Sequence, residues 1–253
     1  MAKQKNKGDT AKKSVKASPY YSNEEEKAKL IKMRDEFEFE SDDQLPPSFV
    51  LLAGSEGTGK THTACTMSEI GPVYLLDTEY RAGIVTRKFK NVKRKSIRDY
   101  KEMVAGVKAI IKKYPPPGTI VIDSGSDFQK FAELDYLDRT KQEKVWPQFN
   151  WSEVFSMCTA LLNELRFAGY TLVMTARLKE EYRNDKPTGR MVPRIYSEIP
   201  YKADFIVHYE GSGKNSKKLL LKDGPNGETD VELADNFDLP SLIEQRFELQ
   251  EAA

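Results

Sequence analysis

Long apolar runs are missing from this sequence, and so is a large excess of charge of either sign. No stretch is long enough to cross a bilayer, and the first residues carry no apolar core of the kind a secretory leader has. The expectation is therefore a cytoplasmic protein with no membrane partner. Cysteine is scarce: Cys65 and Cys158 are the only two, and neither has metal-ligand spacing. Neither a disulfide framework nor a zinc module is expected. With 40 Lys and Arg against 39 Asp and Glu, net charge alone points to no particular partner. No internal repeat is apparent, and no Asn-Lys-x-Asp guanine-reading motif occurs, which argues against a GTPase.

The balanced total conceals local asymmetry. Residues 1–18 carry Lys3, Lys5, Lys7, Lys12, Lys13 and Lys16 against Asp9 alone, with hardly any large apolar residue. Such a segment cannot bury enough surface to order itself, so a disordered basic tail is expected over residues 1–22. Residues 23–47 contain "EEEKAKLIKMRDEFEFE" and then the breaker "DDQLPPS", which together suggest a charged helical arm or linker. One domain is expected over residues 48–253.

Within that domain, apolar β-prone runs alternate with helical periodicity. "FVLLA" (49–53), "PVYLLDTE" (72–79), "TIVID" (119–123) and "YTLVMTA" (170–176) read as buried strands. Helices are expected after the first, over about 100–114, 128–139 and from Asn150, and again over 238–249. "ADFIVHYE" and "KKLLLKD" flank "GSGKNS" as a hairpin. The fold class is α/β, a mostly parallel sheet flanked by helices with a β-hairpin appended near the C-terminus.

Between the first strand and its helix stands "GSEGTGKT", glycine, four residues, then Gly-Lys-Thr. This is the phosphate-loop spacing, in which backbone N–H groups wrap phosphates and a helix N-terminus favours the anion. Gly54, Ser55, Glu56, Gly57, Thr58, Gly59, Lys60 and Thr61, with the adjoining His62, are the expected nucleotide contacts. Lys60 would reach the β and γ phosphates of ATP, and Thr61 would hold Mg2+. Asp123, at the C-terminal end of an apolar strand, is the second expected metal residue. The residue after it is Ser124 rather than an acid. Glu79 could enter the same crevice if its strand lies beside that of Asp123, and there orient the attacking water.

The set "GSEGTGKT", "YLLDTE", "TIVIDS" and "TLVMTA" resembles the RecA-like ATPases, closest to the small phage and archaeal AAA-domain family that includes RecA-like single-strand annealing proteins. The resemblance covers roughly residues 48–225. It implies that Glu79 activates water and that Thr175 senses the γ-phosphate, with Arg177 nearby. It also implies that Lys222, in "KKLLLKDGPNGE", reaches a neighbour's nucleotide, although the basic residue often found two places later is replaced by Gly224. A ring or filament of identical chains follows from the same resemblance.

Two cationic segments interleaved with aromatics, residues 87–101 and 177–202, suit single-stranded DNA. In RecA-like proteins the loop after the fourth strand often contacts DNA, and residues 177–202 hold that position. The sequence therefore reads as an ATPase acting on single-stranded DNA in recombination, annealing or repair. Alternatives are a small-molecule phosphotransferase with residues 177–202 as a lid, or an ATP-dependent loader or packaging motor.

Overall fold

In the computed structural model, residues 28–29, 32–33, 47–144, 148–211, 213, 216–223 and 227–251 are described. The chain divides into two units, Met1–Gln44 and Leu45–Ala253. The four described residues of the first are helical. The basic tail expected over 1–22 and most of the arm expected over 23–47 lie outside the described residues.

The second unit runs in chain order through β1 (Phe49–Gly54), α1 (Lys60–Thr66), a 3-10 turn (Met67–Glu69), β2 (Val73–Asp77), α2 (Gly83–Thr86), β3 (Val92–Ser96), α3 (Tyr100–Lys113), β4 (Thr119–Asp123), α4 (Gly125–Thr140) and α5 (Gln148–Phe167). Then come β5 (Thr171–Ala176), β6 (Leu178–Arg183), β7 (Lys186–Pro193), α6 (Glu198–Lys202), β8 (Phe205–Glu210), β9 (Lys217–Asp223), β10 (Gly227–Glu232) and α7 (Leu239–Glu251). Eight strands form one sheet in the order β10-β9-β8-β1-β5-β4-β2-β3. From β8 to β3 every pairing is parallel, while β8, β9 and β10 pair antiparallel.

The central strands are apolar on both faces because helices cover both. Alternation divides them cleanly. Val50, Leu52, Val73, Leu75, Val121 and Val173 join a core with Ala64 and Cys65 of α1 and Leu239 and Leu242 of α7. Phe49, Leu51, Tyr74, Leu76, Ile120, Ile122, Leu172 and Met174 join the opposite core with residues of α3, α4 and α5. Because β5 lies between β1 and β4, and β4 beside β2, the C-terminal ends of all four strands open on one crevice. Asp77 is paired in register with Asp123, which meets the condition for Glu79 to enter that crevice.

Three features of strand pairing go beyond the sequence expectation. The basic run after α2 contains β3, an edge strand whose Lys93, Arg94 and Lys95 are exposed. Residues 177–202 are no irregular loop: β6 and β7 form a separate hairpin, with φ of 51° at Asn184 and 59° at Asp185 at its tip. Two consecutive left-handed residues match the turn that suits strand twist. The third is β10, paired with β9 at the edge of the sheet. The helix expected from Asn150 begins two residues earlier, at Gln148.

At the start of α4, Gly125 is packed hard. A Cβ there would lie 2.3 Å from Met174 Sδ and 2.8 Å from Ile195 Cδ1. Gly125→Ala should therefore destabilise the fold by about 1–3 kcal/mol through overpacking. Thermal denaturation should show a Tm lowered by several degrees; an unchanged Tm would mean that the Met174 side chain simply moves aside.

Candidate nucleotide site

The phosphate loop takes its shape from its glycines. Gly57 and Gly59 have φ of 73° and 98°, and Gly59 caps the N-terminus of α1. Those angles strain any residue with a side chain. Gly54 is required for space instead, since a Cβ there would come 2.6 Å from Tyr209 Cβ. Lys60 folds back across the loop, its Nζ donating to the carbonyls of Gly54 at 2.8 Å and Ser55 at 2.6 Å. Burial pulls the Lys60 ammonium below its ordinary pKa, while Asp123, Glu79 and Glu56 act against that shift.

Asp123 is the junction of the site. Its Oδ2 accepts from the Thr61 hydroxyl at 2.8 Å, and its Oδ1 accepts a short hydrogen bond from the Thr175 hydroxyl. Desolvation pushes the Asp123 carboxyl above the usual range, against the lowering effect of those two hydroxyls. Thr61 and Asp123 offer hard oxygen donors, the chemistry that suits Mg2+. Among the described residues no group of three or more His, Cys, Asp or Glu could hold a metal ion. Most ligands of an ion here would have to come from phosphate and water, as is usual for Mg2+.

Glu79 and Asp123 line one cleft of about 320 Å³ together with Glu56, Gly57, Gly59, Lys60, Thr61, His62, Ser124 and Arg177. Glu79 is not free in it. Arg177 donates from Nε and Nη2 to Glu79 Oε1 at 3.2 and 2.9 Å, and from Nη2 to Asp127 Oδ2 at 3.0 Å. Arg177 is thus the central cation beside Glu79. Sequence placed it only near the site, because its two carboxylate partners lie 98 and 50 residues away along the chain. At the mouth of the cleft, exposed Arg81 and Glu56 pair at 3.3 Å.

Asp77, at the C-terminal end of β2 and two residues before Glu79, is engaged in structural contacts. Fully buried, it accepts from Arg94 Nη1 at 2.8 Å and from the backbone N–H groups of Ala82 at 3.1 Å and Glu79 at 3.2 Å. Its carboxylate anchors the loop that presents Glu79. Thr78 adds a second tie, accepting from Ser124 N at 2.7 Å.

Lys222 stands apart from these groups. It pairs with Ile206, which is level with Leu51 in β1, whereas the phosphate loop begins at Gly54 beside Tyr209. Its ammonium donates to the carbonyls of Tyr201 and Ala203 at the end of α6. The structure does not bring Lys222 to its own chain's cleft.

A family model described as an AAA domain matches residues 47–227. The chain belongs to the AAA-domain family. Its mostly parallel, helix-flanked sheet with a phosphate loop after β1 and an acid ending β4 is a P-loop NTPase fold, with extra antiparallel strands toward the C-terminus. No curated protein matches the chain at a significant level. Among solved structures it is similar to the RadB recombinase at 15% identity and a TM-score of 0.48, over 72% of this chain and 84% of that one. It is also similar to the cytoplasmic domain of the Thermomonospora curvata Type VII secretion ATPase EccC, at 10% identity and a TM-score of 0.39, over 74% of this chain and 24% of that one. Both likenesses are too distant to bear on function.

The anchoring role of Asp77 is open to a direct check. Asp77→Ala strips a buried carboxylate from one guanidinium and two backbone donors and should cost about 2–4 kcal/mol. For a chain of this size that is a fall in Tm on the order of 10 °C. An unchanged Tm would show that the loop is held some other way.

Proposed function

We propose that this AAA-domain protein binds ATP with Mg2+ in the cleft, hydrolyses it, and does so as a homo-oligomer acting on single-stranded DNA in the cytoplasm. The observation that carries the catalytic reading is the meeting of Lys60, Thr61, Asp123 and Glu79 around one space at the C-terminal ends of β1, β2 and β4. Lys60 supplies positive charge where negative charge develops, which is where electrostatic stabilisation acts most strongly. The Thr61 hydroxyl and Asp123 carboxylate would hold Mg2+, whose chemistry when bound is to neutralise phosphate charge. Gly54–Thr61 and His62 form the nucleotide wall.

Glu79 is the proposed water-orienting base. Arg177 engages only its Oε1, so the guanidinium would orient the carboxylate while Oε2 receives the water molecule. Thr175 is given two tasks in succession. Its hydroxyl holds Asp123, and a γ-phosphate contact would follow if the hydroxyl turned from the carboxylate. Lys222 enters the reaction only across an interface with a second copy, after release from the carbonyls of Tyr201 and Ala203.

Support for a nucleic-acid partner comes from the cationic segment 87–101, interleaved with Phe89 and Tyr100. A role in recombination, annealing or repair fits that partner. The same motifs would serve a loader or packaging motor, for which a protein would replace DNA as the stimulating partner.

Two substitutions separate binding from chemistry. Lys60→Ala should slow ATP hydrolysis by on the order of a hundredfold or more; a native rate in a phosphate-release assay would remove the loop from the mechanism. Glu79→Gln keeps shape and hydrogen bonding but removes the base. It should retain ATP affinity by calorimetry while turnover falls steeply. Normal turnover would move the water-activating role to another carboxylate, with Asp127 next because it shares Arg177.

A further inference from the structure

Of the two cationic segments, residues 177–202 match the position that the family resemblance favours. Charge on the hairpin argues otherwise. Residues 178–193 hold four cations, Lys179, Arg183, Lys186 and Arg190, against three acids, Glu180, Glu181 and Asp185. Arg183 is paired with Glu181 at 3.1 Å, and Thr188 bonds the same carboxylate. A polyanion would meet a nearly neutral surface there.

Residues 87–101 differ in both number and arrangement. Eight cations, Arg87, Lys88, Lys90, Lys93, Arg94, Lys95, Arg98 and Lys101, stand against Asp99 alone. Arg94 is taken by Asp77, and Lys101 lies 3.8 Å from Asp135. Lys95 and Arg98 share the single carboxylate of Glu102, at 3.9 and 3.2 Å. Lys93 rests over the Tyr114 ring at 4.3 Å, a contact that leaves its charge uncancelled. Arg87, Lys88 and Lys90 are exposed and have no ion pair among the described residues. The fold strings this surplus along β3, the outermost strand of the sheet, and the turns at its two ends.

β3 spans about 16 Å at the usual strand rise, and its upper end leads back to the active site. Ser96 is in register with Asp77, two residues before Glu79. Just past Glu79 stands Tyr80, 55% exposed with φ of 62°; Arg98, whose guanidinium pKa is raised mainly by its hydrogen bond to Glu102, also feels the Tyr80 hydroxyl. A row of cations that outnumber their acids and end at an exposed aromatic ring is the pattern that neutralises a single-stranded backbone and stacks a base.

We propose that single-stranded nucleic acid lies along the β3 edge, from Arg87, Lys88 and Lys90 up to Arg98 and Tyr80, and bears directly on the loop that carries Glu79. The proposal rests on the reading that the partner is single-stranded nucleic acid, and it names the surface. Lysines on an edge strand also deter strand-to-strand aggregation, so the test must detect binding and not mere solubility.

Fluorescence anisotropy with labelled oligo(dT), in the presence of ATP and Mg2+, supplies it. Arg87→Gln, Lys88→Gln, Lys90→Gln and Lys95→Gln combined should weaken binding at least about tenfold at low salt. They should flatten the dependence of log affinity on log salt by up to about 3, from roughly 0.7 per phosphate contact on single strands. Tyr80→Ala should weaken binding while leaving that salt slope unchanged. Lys179→Gln, Arg183→Gln and Arg190→Gln combined should bind like the parent. Hydrolysis without DNA should persist in both charge variants, since none of these residues lines the cleft, and that rate also reports that they fold. Stimulation by DNA should vanish in the β3 variant alone. Loss of binding in the hairpin variant with retention in the β3 variant would overturn the proposal and leave the DNA reading intact. Failure of the parent protein to bind oligo(dT) would overturn both, as would binding to phosphatidylserine vesicles in its place.

Discussion

One buried carboxylate holds the site together. Asp123 ends β4, accepts a hydroxyl from Thr61 at the start of α1 and another from Thr175 near the end of β5, and so fixes three elements against each other. Each contact depends on the strand order, since only with β5 between β1 and β4 can both hydroxyls reach the same group. Burial disfavours the charged form, and the two hydroxyls oppose that tendency. Lys60 is coupled to it electrostatically across the phosphate loop.

Charge in the cleft is arranged as a set of exchangeable pairs. Glu56, Glu79, Asp123 and Asp127 face Lys60, Arg81 and Arg177, and each of these three cations already has a carboxylate or carbonyl. A triphosphate would compete with those acceptors for the same cations. Arg177 has the widest reach, because it also begins the connection into β6. Its backbone N–H donates to Ser126 Oγ, which in turn donates to the carbonyl of Arg194 beyond β7, and Arg194 N–H returns to the Arg177 carbonyl. The base of the hairpin and the partner of Glu79 are thus one hydrogen-bonded unit.

Most of the candidate site's geometry was legible in the sequence because its carriers are local. The phosphate loop is a contiguous motif, and strands buried on both faces write themselves as continuous apolar runs, with Asp123 and Glu79 at their ends. The remaining features depend on residues far apart. Asp77 looks like a second active-site acid until Arg94 arrives from β3, a strand hidden inside Lys-Arg-Lys because its outer edge faces solvent. The β6–β7 hairpin has two exposed faces and hence no apolar alternation. Only the Asn184–Asp185 turn marked it. Lys222 was placed by resemblance, and its hold on the carbonyls of α6 could not be read from its own strand.

Hydrolysis in this cleft requires Mg2+ and ATP to meet at Thr61 and Asp123. Calorimetric titration of the protein with ATP, with Mg2+ present and then with the metal removed by chelation, tests this most directly. One ATP per chain should bind in Mg2+, and the affinity should fall when the metal is withdrawn. It should fall less in a Thr61→Ala variant, which has already lost part of the metal site. Binding that is indifferent to Mg2+ in the parent protein, or no binding at all, would contradict the assignment of this cleft.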